Sequence, residues 1–169
     1  GISPRMKQTL KRIVPQPVWY FARDSYDAFR RIPELPDAYL HPWRRESIKR
    51  LAKMKDIHKG KRAFIIGTGP SLRKTDLNKI KNEITFGLNR SYVAFPEWGF
   101  STTYLCVTND LVVEQFVNDI NALMLPKFIA WRSHRHFSPD MPISKIPNFV
   151  YTSYTGPRFA NDIRGRVWE

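Results

Sequence analysis

Cysteine is almost missing from this sequence: among 169 residues only Cys106 carries a thiol. A single cysteine excludes an intramolecular disulfide framework. It stands in the apolar run Tyr104-Leu105-Cys106-Val107, where a buried core thiol is expected. The four histidines, His41, His58, His134 and His136, are scattered and make no zinc-finger spacing with that cysteine. No run approaches the ~18 apolar residues of a membrane span, and the first residues lack the apolar core of a secretory leader. The expectation is a cytoplasmic protein, with peripheral contact at the inner face of a membrane as an extension of it.

Acidic residues are also scarce, 15 Asp+Glu against 28 Lys+Arg, for a net charge of +13. Residues 1–62 hold 16 basic and 6 acidic side chains, so the basic character belongs to the N-terminal part. Such a segment attracts anionic lipid headgroups, nucleic acid or acidic glycans, the membrane surface ranking ahead of nucleic acid. A merely solvated surface is the plain alternative. With 42% hydrophobic and 14% aromatic residues, the chain has enough apolar material for a real core.

Two parts are expected: a basic, aromatic N-terminal extension over residues 1–59 and a nucleotide-binding domain over residues 60–169. In the extension, residues 6–14 have helical spacing, and Pro15 and Pro17 stop it. Val18, Trp19, Tyr20, Phe21, Tyr26 and Phe29 form an aromatic patch that suits an arm clamped to the domain or to another subunit, as in a homo-oligomer, or one lying on a membrane interface. Prolines 33, 36 and 42 predict an extended connector over residues 31–41. Residues 43–57 read as a helix, with Gly60 as its stop.

Beyond it, apolar runs predict strands at residues 63–66, 84–88, 103–108, 127–131 and 149–152. Short helical turns are expected over residues 71–80, and a short turn or helix over residues 91–95 that Pro96-Glu97-Trp98-Gly99 breaks. A helix over residues 111–123, capped by Asp110, buries Val112, Phe116, Ile120 and Leu123, with Val113 and Val117 widening the stripe. Residues 132–148 lose the pattern and read as a long basic loop. This alternation predicts an α/β, Rossmann-like fold: a mainly parallel sheet with helices on both faces, plus the basic helical extension. No convincing helix–strand pair closes the sequence, so the C-terminal part of the domain is expected to be missing.

Ligands of open α/β sheets collect beyond the carboxyl ends of the strands. There the first strand ends in Gly67-Thr68-Gly69-Pro70-Ser71, the second in Asn89-Arg90 and the third in Asn109-Asp110. Glycines permit tight turns and expose backbone N–H groups to phosphate, and Thr68 and Ser71 add hydroxyls. No Walker lysine follows, and Leu72 stands where the third glycine of GxGxxG belongs. A tight turn without a ligand, a turn residue at Asn89 and a helix cap at Asp110 are the plain alternatives. Arg132, His134 and Arg135 could hold an anionic substrate or simply decorate an exposed loop.

The stretch from Phe64 to Leu72, with Phe86-Gly87-Leu88-Asn89-Arg90 and the third-strand segment YLCVTNDLVVEQ, resembles two related groups over about residues 60–131. These are the bacterial sialyltransferases of glycosyltransferase family 42 and the MptE-like group, named after an archaeal 6-hydroxymethylpterin diphosphokinase. The resemblance implies a nucleotide-sugar-dependent glycosyltransferase of surface-glycan synthesis. Its donor would be a CMP-sugar, its acceptor a glycan, and Asn89 would contact the nucleotide. Thr68 departs from the asparagine usual in the sialyltransferases. Their catalytic histidine lies later than this sequence reaches, so no catalytic base is assigned. The diphosphokinase alternative implies ATP with Mg2+ and makes Asp110 a metal ligand. A catalytically inactive basic binding module is the reading from outside the enzymes.

Overall fold

The computed structural model describes residues 15–150, 152–153 and 167–168; the helix expected over residues 6–14 lies outside them. The chain forms an α/β, Rossmann-like domain on a five-stranded, all-parallel sheet. Its strands are β1 (Ala63–Ile66), β2 (Ile84–Leu88), β3 (Tyr104–Val107), β4 (Lys127–Ala130) and β5 (Asn148–Val150), in the spatial order β1-β2-β3-β4-β5. A separate two-stranded parallel pair joins β6 (Thr152–Ser153) to β7 (Val167–Trp168).

A parallel sheet in strict sequence order carries its right-handed crossovers on one face. Register puts Gly87 beside Leu105, Val107 beside Ile129, and Ile129 beside Phe149 on that face. The helix Asp110–Ala122 crosses it, burying Val113 and Ile120 against Leu105, Val107 and Ile129. Val112, Phe116, Val117 and Leu123 are partly buried at its flanks. On the opposite face Phe86, Tyr104 and Phe128 form an aromatic row, with centroids 4.9 and 5.6 Å apart. There His58 lies 2.6 Å from the Tyr104 hydroxyl.

Helices α1 (Gln16–Arg31), α2 (Leu35–Leu40) and α3 (Pro42–Met54) precede the sheet. Residues 31–41 are therefore not extended: a 3-10 turn, Ile32–Glu34, leads into α2. Pro36 occupies the first turn of α2, where a missing N–H costs nothing, so a residue read as a breaker is a starter. Pro96 does the same for α4 (Phe95–Trp98), which Gly99 ends at φ +72°. Helix α3 stops at Met54, before Gly60.

Helix α3 also covers the edge of the sheet. Phe149 N–H donates to Ser47 Oγ at 2.9 Å, and Arg50 donates to the carbonyls of Ile146 and Ile143 at 2.7 and 2.6 Å. Trp43 stacks on Phe149 at 5.8 Å. Capping an edge this way removes a template for strand pairing. Helix α1 differs: Val18, Phe21 and Phe29, continued by Ile32 just beyond its end, share one stripe at helical spacing and are all more than half exposed. Among the described residues no helix is long and apolar enough to cross a membrane.

The region expected to be a long loop holds two 3-10 turns, Trp131–His136 and Ile143–Lys145, anchored by the buried side chains of Trp131, Ser133, Phe137 and Ile146.

Candidate functional site

Because every strand of the sheet runs the same way, all its C-terminal ends share one rim. Residues 67–71 leave β1 as an exposed segment. Neither Gly67 nor Gly69 takes a left-handed φ. Among the described residues, a Cβ on Gly67 would meet nothing within 4 Å, and one on Gly69 only Ser71 Oγ at 3.8 Å. The other described glycines have a reason inside the fold. Gly60 and Gly99 take positive φ, and a Cβ on Gly87 would lie 2.4 Å from Ser91 Oγ. Glycine is thus required at 67 and 69 by neither conformation nor packing. What it leaves there is bare backbone open to close approach.

An open groove of about 630 Å3 adjoins this segment. Thr68, Gly69, Arg73, Arg90, Ser91 and Trp98 are among the residues that line it. It offers hydroxyls, two guanidinium groups and an indole. Arg90 is held with its guanidinium carbon 3.7 Å from the centre of the Phe116 ring, a cation–π contact that orients it. Phe116 is also where the helix of β3's crossover departs from helical φ/ψ.

Asn89 ties the second strand end to the third. It takes φ +48°, a conformation asparagine tolerates better than most residues. Its Oδ1 accepts the backbone N–H of Thr108 at 3.3 Å and of Asn109 at 3.4 Å. Arg132 adds a further tie, donating to the Thr108 carbonyl at 3.3 Å. The cap of the following helix, which we label α5 (Asp110–Ala122), is Asn109 and not Asp110: Asn109 Oδ1 accepts the Leu111 N–H at 3.1 Å.

Asp110 turns to the fourth strand end instead. Its Oδ1 accepts from Ser133 Oγ at 2.9 Å and lies 3.1 Å from His136 Nε2, while Oδ2 pairs with Arg135. Burial alone would raise its pKa, but the bonds from Ser133 and His136 and the charges of Arg135 and His136 outweigh it and hold the carboxyl below its ordinary value. Both oxygens are engaged by protein donors. His134 points elsewhere, its ring stacked on Trp131 at 3.8 Å.

The nine expected rim residues therefore fall into an open part, Gly67 to Ser71 with Arg90, and a tied part, Asn89 with Asn109 and Asp110. Ser133, Arg73 and Trp98 belong to these surroundings without having been expected. Ser133 is wholly buried and pairs across 23 positions, a partnership no local pattern announces. Cys106 is no nucleophile at neutral pH, since burial pushes its thiol up to about 11. No family model, curated protein or solved structure matches the chain.

Proposed function

We propose that the protein is a nucleotide-sugar-dependent glycosyltransferase of sialyltransferase-like type, acting in surface-glycan synthesis, with its nucleotide held at the β1–β2 end of the rim. One observation carries the nucleotide part of this reading: two glycines at a strand end, Gly67 and Gly69, that neither backbone nor packing requires. The segments resembling the sialyltransferases, residues 64–72 and 86–90, coincide with that end and support the choice of donor, a CMP-sugar. Loss of the nucleotide places negative charge on its phosphate. The backbone N–H groups of the exposed residues Gly67, Thr68, Gly69 and Ser71, with Arg90 and Arg73 along the groove, stabilise that charge as it develops. The exposed apolar stripe of α1 supports peripheral contact with an anionic membrane, where the glycan acceptor is met.

Calorimetry and thermal shift with CMP and with ATP–Mg2+ test this. Saturable CMP binding without metal is the expected result. ATP binding that requires Mg2+, with none for CMP, sinks the glycosyltransferase reading in favour of the diphosphokinase. Binding of neither leaves an inert module.

A further inference from the structure

Away from the glycine rim, Asp37, His41 and His134 bring one ligand atom each to within 4.8 Å of one another. Asp37, in the first turn of α2, and His41, the residue that caps its C-terminal end, stand one helical turn apart, so their side chains share a side. His134 comes from the 3-10 turn after β4. We propose that these three residues bind a divalent transition-metal ion, zinc or a close analogue, which staples the N-terminal helices to the sheet.

Three features support a cation there. First, the separation fits. Two ligand atoms each ~2.0–2.1 Å from a tetrahedral zinc stand about 3.3 Å apart, and His134 Nε2 lies 3.3 Å from Asp37 Oδ2. Second, the proton of His134 is placed. Its Nδ1 sits 2.6 Å from the Trp131 carbonyl, which can only accept, so Nδ1 carries the hydrogen and a neutral ring has its lone pair at Nε2. That lone pair faces the carboxylate, and something positive belongs between them. Third, the outer support is the kind metal-bound histidines have: a carbonyl on the far nitrogen, and the Trp131 ring stacked at 3.8 Å to hold the plane.

His41 must adjust. Its Nδ1 now accepts the Trp43 N–H at 3.2 Å. Ligation through Nε2 moves its proton to Nδ1 and frees that N–H, a helix-start donor that water can satisfy. Two imidazoles and a carboxylate suit zinc, cobalt or nickel better than magnesium or calcium. Asp37 is half exposed, giving an entry path and room for a water ligand.

The untagged, chelator-treated chain is titrated with Co2+, read by its visible d–d absorption, and the cobalt is then displaced with Zn2+. Binding of one ion per chain is expected, with a rise in Tm on adding zinc. Asp37→Asn, an isosteric change at a half-exposed carboxylate, and His134→Gln should each weaken binding by about 100-fold or more, and His58→Gln should leave it unchanged. Absence of one-to-one binding, or binding that survives Asp37→Asn, overturns the proposal. So does a Tm that falls in Asp37→Asn while the parent chain ignores zinc, since that marks an ion pair alone.

Discussion

The two ends of the rim contrast in what their polar groups already hold. Around β3 and β4 nearly every group has a partner within the protein. Asn89 accepts from Thr108 and Asn109, Arg132 donates to the Thr108 carbonyl, and Asp110 is closed in by Ser133, His136 and Arg135. Around β1 the backbone of residues 67–71 lies exposed beside a groove, with glycines that the fold does not use. A satisfied corner holds strand ends in register. An open edge with bare backbone can receive a ligand. The sequence motifs at the two ends look alike, a strand running into small and polar residues, and only the partners separate them.

The largest expected effect breaks the contrast from the packing side. Gly87 is a glycine with a structural duty: its missing Cβ makes room for Ser91 Oγ and for Thr102 Oγ1, which would lie 2.4 and 3.0 Å from it. Gly87→Val should cost about 3 kcal/mol by overpacking, read as a lowered urea midpoint. Gly87→Ala should cost less, and Ser91→Ala added to it should recover part of the loss by removing the nearer obstacle. If Gly87→Val is tolerated without loss, packing does not distinguish this glycine from Gly67 and Gly69.

Next in size is the tied corner itself. Asp110→Ala leaves the buried Ser133 hydroxyl without its acceptor and should cost about 1–2 kcal/mol. The carboxyl's folded pKa lies below its unfolded one. Its stabilisation is therefore complete above the ordinary carboxylate range and is lost as pH falls through the depressed folded value. Urea midpoints of the parent and Asp110→Asn, followed from neutral to acid pH, should converge in acid. Curves that stay parallel would show that Asp110 carries no such load.

Much of the sheet was legible beforehand because buried parallel strands show as apolar runs bounded by turn residues, as at 63–66 and 84–88. Helix α2 was not, since prolines 33 and 36 mark a helix start as readily as an interruption. At the site, the open edge was visible because its residues are contiguous. The choice between Asn109 and Asp110 as cap was not, because Asp110 is drawn away by His136, 26 positions later. Side chains that meet across such distances carry no periodicity. The same reason hid the approach of Asp37 to His134.

The smallest expected effect on stability is also the most discriminating. At 67 and 69 a methyl group fits and no left-handed φ opposes it. Gly67→Ala and Gly69→Ala should therefore leave the urea midpoint nearly unchanged, within about 0.5 kcal/mol, or shift it slightly upward because alanine restricts the unfolded chain. Their consequence belongs to the ligand. On the proposed function, a Cβ at the exposed strand end stands where the phosphate would approach the backbone, so nucleotide binding should weaken by about 10-fold or more, roughly 1.4 kcal/mol. Calorimetry on the same two variants decides it. Loss of stability together with binding would give these glycines a duty in the fold, like Gly87. Unchanged stability with unchanged binding would mean that the open edge is not where the nucleotide sits. Only unchanged stability with weakened binding keeps the contrast between the two ends and ties it to recognition.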